Sequence, residues 1–115
     1  MTYKHGVDVS NLDPAIWYAL GYIERLYEGR GHELVVTSGR EGVHSVNSLH
    51  GNGKAVDLRT HELTQVDRDN ILAVARLKFF PLGFDMVYES TPGSEHFHFE
   101  YDPKPLRDKW QVVQI

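Results

Sequence analysis

Apolar residues recur at helical spacing in two stretches of the chain. The first stretch begins after Asp13, which can cap a helix N-terminus, and Pro14, which suits the first helical position. The apolar positions that would bury one face of this helix are Ile16, Leu20, Ile23, Leu26 and Tyr27. A second amphipathic helix is predicted over 64–80, and it is ended by Pro81 and Gly83.

Four short segments rich in β-branched and aromatic residues predict strands. They are Glu33–Thr37, Ala55–Arg59, Phe84–Tyr88 and Phe97–Tyr101. The turn residues at 91–94 are expected to join the last two strands as a hairpin. Residues 40–53 predict a polar, glycine-rich loop, and loops of that length usually carry function or move. We therefore expect an α+β fold, with two main helices packed on one face of a small, mainly antiparallel sheet.

The composition is that of a single domain over 1–115 with one modest core. The chain has no cysteine, which excludes a disulfide scaffold, a thiol nucleophile and iron–sulfur ligation. A formal net charge of −4 disfavours proteins that coat nucleic acid. No apolar run approaches the roughly 20 residues that cross a bilayer, and the N-terminus lacks the apolar segment of a secretory signal peptide. We therefore expect synthesis in the cytoplasm and no nucleic-acid or membrane partner.

Histidines and carboxylates concentrate in two segments, 48–57 and 95–100. In a strand, His96, His98 and Glu100 would point to the same face. The glycines between His50 and Asp57 allow a turn that could bring these two side chains together. Two imidazoles and a carboxylate without a thiolate suit a catalytic zinc ion, which keeps a coordination position open for water.

Each of these residues also has a simpler interpretation. Isolated histidines are usually solvated side chains, although one of them, His44, could line a cleft in the glycine-rich loop. The isolated histidines are His5, His32, His44 and His61. Glu95 could be a turn carboxylate and Arg40 an exposed loop charge. On spacing alone, the metal site and these simpler interpretations both stay open.

The two segments together resemble a known family. Ser48-x-His50-x-x-Gly53-x-Ala55-x-Asp57 is similar to the signature of zinc D-alanyl-D-alanine carboxypeptidases and dipeptidases. Glu95-x-x-His98 is similar to the second motif of this family, and 37–40 resembles the upstream segment that presents an arginine to the substrate. Phage L-alanyl-D-glutamate endolysins and the amino-terminal hedgehog domain share the fold of this family. The resemblance covers roughly 34–102 and is greatest to small phage-encoded members.

The resemblance implies that His50, Asp57 and His98 bind Zn²⁺. It also implies that Glu95 is the general base, which takes a proton from water and passes it to the leaving amine. For this role Glu95 must lie in the turn before the last strand, because a strand position would point it away from the face of His98. Glu89, at the end of the preceding strand, is the alternative base.

The resemblance assigns three further roles. Arg40 would hold the oxyanion or a substrate carboxylate, which suits a planar group that is always charged. His96 would hydrogen-bond the tetrahedral intermediate. Ser48 would contact the substrate side of the site and orient the metal ligands.

The function implied is that of a monomeric zinc metallopeptidase, a catalytic domain alone, that hydrolyses a peptide bond in peptidoglycan stem peptides. The expected setting is a phage-encoded enzyme that acts on the bacterial cell wall, released by a separate holin or carried on the virion. The bond cleaved stays open. One alternative is a non-catalytic zinc module, as hedgehog shows this fold can become. Another is a non-haem iron oxygenase, although such enzymes usually need a barrel of about eight strands.

Overall fold

Two helices and five strands make up the part of the chain that the computed structural model describes, residues 1–42 and 48–103. In chain order they are β1 (Thr2–Tyr3), α1 (Pro14–Glu28), β2 (Val35–Ser38), β3 (Ala55–Arg59), α2 (Gln65–Phe79), β4 (Phe84–Thr91) and β5 (Ser94–Tyr101). A 3₁₀ turn, Phe80–Leu82, follows α2. His44 and part of the predicted 40–53 loop lie outside the described residues. None of the described helices has the length and apolar character needed to cross a membrane.

Both predicted helices are confirmed, and side-chain caps explain where they begin. Asp13 Oδ1 accepts a hydrogen bond from the Ala15 amide at 2.9 Å, and Pro14 is the first helical residue of α1. The Thr64 hydroxyl accepts from the Asp67 amide at 3.1 Å at the start of α2. Each cap satisfies an amide that has no partner within the helix.

The sheet has the order β1-β2-β3-β5-β4. The β2–β3, β3–β5 and β4–β5 pairs are antiparallel, but β1 pairs parallel with β2. The sheet is therefore mixed, which corrects the prediction of a mainly antiparallel one. With only two residues, β1 is too short to show the alternation by which a strand is detected in a sequence.

The hairpin is confirmed, but its strands are longer than predicted. Pairing continues to Thr91 opposite Ser94, so that only Pro92 and Gly93 lie in the turn. Gly93 has a φ of 78°, which glycine adopts without steric cost. The expectation that Glu95 lies in the turn is therefore wrong, since Glu95 lies in β5 opposite Ser90.

The hydrophobic core lies between the helices and one face of the sheet. Phe97 and Phe99 of β5 are fully buried in the same cluster as Ile16 and Leu20 of α1. Because successive strand residues face opposite sides, His98, which lies between these two phenylalanines, is on the other face of the sheet. Burial of the aromatic side chains thus decides which face of β5 carries the polar residues.

Candidate metal centre

His50, Asp57 and His98 converge on the sheet face that the helices leave uncovered. Asp57 of β3 lies directly opposite His98 of β5, and His98 Nδ1 is 3.1 Å from Asp57 Oδ1. His50 Nε2 is 3.4 Å from the same oxygen. One ligand-capable atom from each residue lies within 4.8 Å of the other two. The structure therefore brings together the three residues that the resemblance identifies as metal ligands.

A tight turn over 48–53 positions His50. The Asn52 amide donates to Ser48 O at 3.1 Å, and the Gly53 amide donates to His50 O at 3.1 Å. Gly53 has a φ of 74°, and a Cβ there would lie 2.5 Å from Asn11 O. The turn therefore needs glycine both for its backbone conformation and for the close approach of Asn11.

Both imidazole rings are oriented by a second hydrogen bond. His50 Nδ1 donates to Gly39 O at 3.1 Å, which directs Nε2 toward Asp57. His98 Nε2 lies 2.9 Å from Glu100 Oε1, which directs Nδ1 toward Asp57. Such outer hydrogen bonds hold metal-binding histidines in one tautomer and one orientation.

The three side chains form a charge-coupled cluster. Burial alone would raise the pKa of Asp57, but hydrogen bonds from His50 and His98 outweigh it and lower that pKa well below its usual range. The hydrogen bond to Asp57 raises the pKa of both His50 and His98, although burial opposes this. The Asp57 carboxylate therefore stays charged, and a bound cation would replace the protons that the two imidazoles take up in the metal-free cluster.

The donor set therefore fits a divalent metal ion. Two imidazole nitrogens and one carboxylate oxygen converge, each partly shielded from solvent, and the chain has no thiolate to complete a closed structural site. This combination suits zinc with a coordination position left for a further ligand. The geometry of these three residues therefore supports a metal site.

Glu89 and His96 adjoin the cluster. Glu89 of β4 pairs opposite His96 of β5, and its Oε1 lies 3.3 Å from His96 Nε2 and 3.9 Å from His98 Nδ1. With Asp57, these two residues make a second group whose ligand-capable atoms lie within 4.8 Å of one another. The alternative base named from the sequence is thus within reach of the cluster.

Glu95 occupies a different position. It is exposed and lies between Ser94 and His96 in a paired strand, so alternation directs its side chain away from the face of His98. Neither metal-capable group among the described residues includes it. It also lines a cleft to which Asp57 and His96 contribute. Its role as base stays a prediction.

Arg40 and Ser48 lie around the turn that carries His50. The Arg40 guanidinium donates to Gly51 O at 3.1 Å and to Ser10 O at 3.2 Å. Ser48 Oγ is 3.5 Å from the Gly51 amide. Both predicted substrate-contacting residues therefore hold this turn in place.

Glu41 is a positioning residue that the sequence reasoning missed. Its Oε1 accepts from the Gly39 amide at 2.8 Å and the Asp8 amide at 3.0 Å. Burial alone would raise the pKa of Glu41, but these backbone hydrogen bonds outweigh it and lower that pKa. The carboxylate fixes the carbonyl that orients His50. No spacing rule finds it, because its partners are backbone amides, one of them far away in the chain.

A cleft of about 550 Å³ adjoins the cluster on the same face. The residues that line it come from the N-terminal segment, the ends of β2 and β3, and the hairpin. They are Lys4, Thr37, Ser38, Asp57, Arg59, His61, Gly93, Ser94, Glu95 and His96. Asp57 and His96 therefore connect the metal-capable residues to a space large enough for part of a peptide.

Comparison with known proteins gives one partial similarity. No protein-family model matches the chain. The Indian hedgehog B protein of Danio rerio is 41% identical over 68 residues, a match that covers 57% of this chain. The same match spans only 16% of the hedgehog protein. This chain is thus similar to a small part of that protein.

Proposed function

We propose that the protein is a zinc-dependent peptidase that hydrolyses a peptide bond in the stem peptides of bacterial peptidoglycan. The observation that carries this proposal is the convergence of His50, Asp57 and His98 beside a peptide-sized cleft. These residues belong to two separate motifs that resemble those of zinc D-alanyl-D-alanine peptidases. The hedgehog/D-alanyl-D-alanine peptidase fold is part of the same proposal.

In this proposal His50, Asp57 and His98 hold the zinc ion. When bound, zinc supplies a Lewis acid that lowers the pKa of a water molecule to about 7. Glu89 accepts a proton from the attacking water and returns it to the departing amine. The Nε2–H of His96, which lies 3.3 Å from Glu89 Oε1, donates to the developing oxyanion.

Glu89 is favoured over Glu95 as the base because of its position. A general base must come within hydrogen-bond reach of the proton that it abstracts. Glu89 shares a face and a register position with His96, whereas Glu95 is on the alternate position of β5. The exposed fraction of the Glu89 side chain, 51%, leaves it open to water and to the substrate.

Two N–H groups of Arg40 donate to backbone carbonyls. Its remaining N–H groups are proposed to contact the substrate. A guanidinium has five such donors in a planar fork that matches a carboxylate. The Ser48 hydroxyl is proposed to keep the turn under His50 in place. The setting we propose is a monomeric phage-encoded enzyme that acts on the cell wall.

The test is digestion of purified peptidoglycan by the zinc-loaded protein, with the released termini identified by mass spectrometry. We expect new amino groups from wild type and none from His50→Ala or His98→Ala, both with reduced zinc content. The matched control is His5→Ala, which removes an exposed histidine outside both the metal-capable groups and the cleft. Reducing sugar ends without new amino groups would contradict a peptidase. Unchanged zinc in either ligand variant would contradict the site.

A non-catalytic metal-binding module is the second candidate, because the chain is similar to part of a hedgehog protein. The same experiment separates the two. A module predicts zinc binding that depends on His50 and His98 without release of any peptide terminus.

A further inference from the structure

Asp57 presents its two carboxylate oxygens to different histidines. Its Oδ1 lies 3.1 Å from His98 Nδ1 and 3.4 Å from His50 Nε2. Its Oδ2 lies 3.8 Å from His96 Nε2, and Asp57 and His96 both line the cleft. Two-metal sites hold their ions about 3.5–4 Å apart, a spacing that one carboxylate spans when each of its oxygens binds one ion.

The strand register separates the two sets of residues around Asp57. His96 and His98 are two residues apart in β5, so they share a face and lie about 6.6 Å apart along the strand. Asp57 of β3 pairs opposite His98, and Glu89 of β4 pairs opposite His96. The two imidazoles therefore occupy successive positions of one face, with a carboxylate on either side of β5.

Glu89 completes a second group with Asp57 and His96. Its Oε1 lies 3.3 Å from His96 Nε2, which is closer than the 3.9 Å to His98 Nδ1. The Glu89 side chain is also more exposed than those of His50 and His98, so an ion can reach the second group directly from solvent. One imidazole with two carboxylates suits a divalent transition metal such as zinc better than Ca²⁺, which takes oxygen ligands.

We propose that Asp57, Glu89 and His96 form a second, weaker zinc site, and that excess zinc bound there inhibits hydrolysis. Asp57 bridges this second ion and the first one. The inference rests on the proposed function and adds its regulation by metal. A carboxylate that binds a cation no longer accepts a proton, and an imidazole nitrogen that binds a metal carries no N–H to donate. Occupation of the second site therefore removes the proposed base and the proposed oxyanion donor together.

Charge makes the second ion the weaker one. Asp57 and Glu89 carry two negative charges between them, which balance one divalent ion. Arg59 pairs opposite His96 and lines the same cleft, so it adds a positive charge on this side of the site. A second divalent ion must bind against repulsion from the first ion and from Arg59, and we expect its affinity to be at least about 100-fold lower.

The test titrates protein that already holds one equivalent of zinc with further Zn²⁺, followed by calorimetry. We expect wild type to take up a second ion. His96→Ala and Glu89→Gln should each weaken this second ion at least about tenfold while they keep the first. Arg59→Gln should tighten it about two- to fivefold, because it removes a repelling charge. The melting temperature of each variant with one equivalent of zinc checks that it is folded.

The matched controls remove the same chemical groups from neighbouring positions. His61→Ala removes another imidazole that lines the cleft, and Glu95→Gln removes the carboxylate next to His96. Both residues lie outside the metal-capable groups found among residues 1–42 and 48–103, and neither variant should change the second ion. Uptake of only one ion by wild type, or an unchanged second ion in folded His96→Ala, would overturn the second site.

Hydrolysis of peptidoglycan in zinc-buffered solutions separates this inference from the proposed function. We expect the zinc concentration that halves the rate to match the dissociation constant of the second ion. Full activity at zinc concentrations that fill the second site would overturn the inhibition. Hydrolysis by a protein that binds only one ion would retain the peptidase and remove the second site. A second ion that is lost in His96→Ala, with no hydrolysis of peptidoglycan, would retain the second site and remove the peptidase.

Discussion

At the scale of single residues, the site depends on Asp57, because among residues 1–42 and 48–103 it is the carboxylate shared by both metal-capable groups. Its two oxygens face His50, His96 and His98, which approach from the turn and from β5. Substitution of Asp57 would remove a metal ligand. It would also remove the hydrogen-bond acceptor that raises the pKa of His50 and His98.

The two candidate bases make opposite predictions. General acid–base assistance typically contributes about 10²–10⁴-fold. We therefore expect Glu89→Gln to lower kcat at least 100-fold while zinc content and the melting temperature stay close to wild type. Glu95→Gln is the matched control and should lose less than threefold. If Glu95→Gln is inactive and Glu89→Gln is nearly normal, the roles are reversed.

The pKa shifts of the cluster predict how pH affects the stability of chelator-treated protein. The raised pKa of His50 and His98 stabilises the fold below their unfolded value of 6.5, and this stabilisation is lost as pH rises through the folded values. The lowered pKa of Asp57 stabilises the fold above 3.8 and is lost as pH falls through its folded value.

We therefore expect the cluster to contribute most to the stability of the metal-free protein between about pH 4 and 6.5. Thermal unfolding with chelator at pH 5.5 and pH 8.5 measures it, as the difference in melting temperature between wild type and Asp57→Asn. This difference should be larger at pH 5.5. An equal difference at both values would show that the cluster does not titrate as described.

At the scale of elements, the 48–53 turn is the part of the site that tolerates least change. Gly53→Ala places a side chain at positive φ, which costs about 1–2 kcal/mol, and adds a Cβ 2.5 Å from Asn11 O. We expect this variant to lower both the melting temperature and the affinity for zinc, because His50 O is bonded to the Gly53 amide.

Gly93→Ala provides the matched control. Gly93 also has a positive φ, but a Cβ there meets nothing within 4 Å. Gly93→Ala should therefore destabilise the fold only through the strain of a side chain at positive φ, and it should leave the zinc affinity unchanged. Equal loss of zinc affinity in both variants would show that the close approach of Asn11 does not position His50.

At the scale of the whole molecule, the sequence predicted the helices and the α+β class because their signals are local. Caps, apolar periodicity and turn residues all lie within a few positions of the elements that they define. The two-residue β1 and its parallel pairing could not be predicted, since both depend on contact with the distant β2.

The same distinction applies to the site. His50, Asp57 and His98 could be identified because the two motifs that contain them resemble those of a known family, whereas their spacing alone left simpler interpretations open. Glu41 could not, because it acts through backbone amides. Glu89 was identified only as the alternative base, since its distance from His96 depends on the cross-strand register. Strand length also decided the position of Glu95, and element boundaries are the least reliable part of a sequence prediction.

His50 and His98 lie nearly half the chain apart, on a turn and on the last described strand. In a chain without cysteine, an ion held by both would act as a removable cross-link that closes a long loop. The folded state would then be protected only while the ion is present. Survival of the molecule among proteases would be governed by the metal content of its surroundings as much as by its own core.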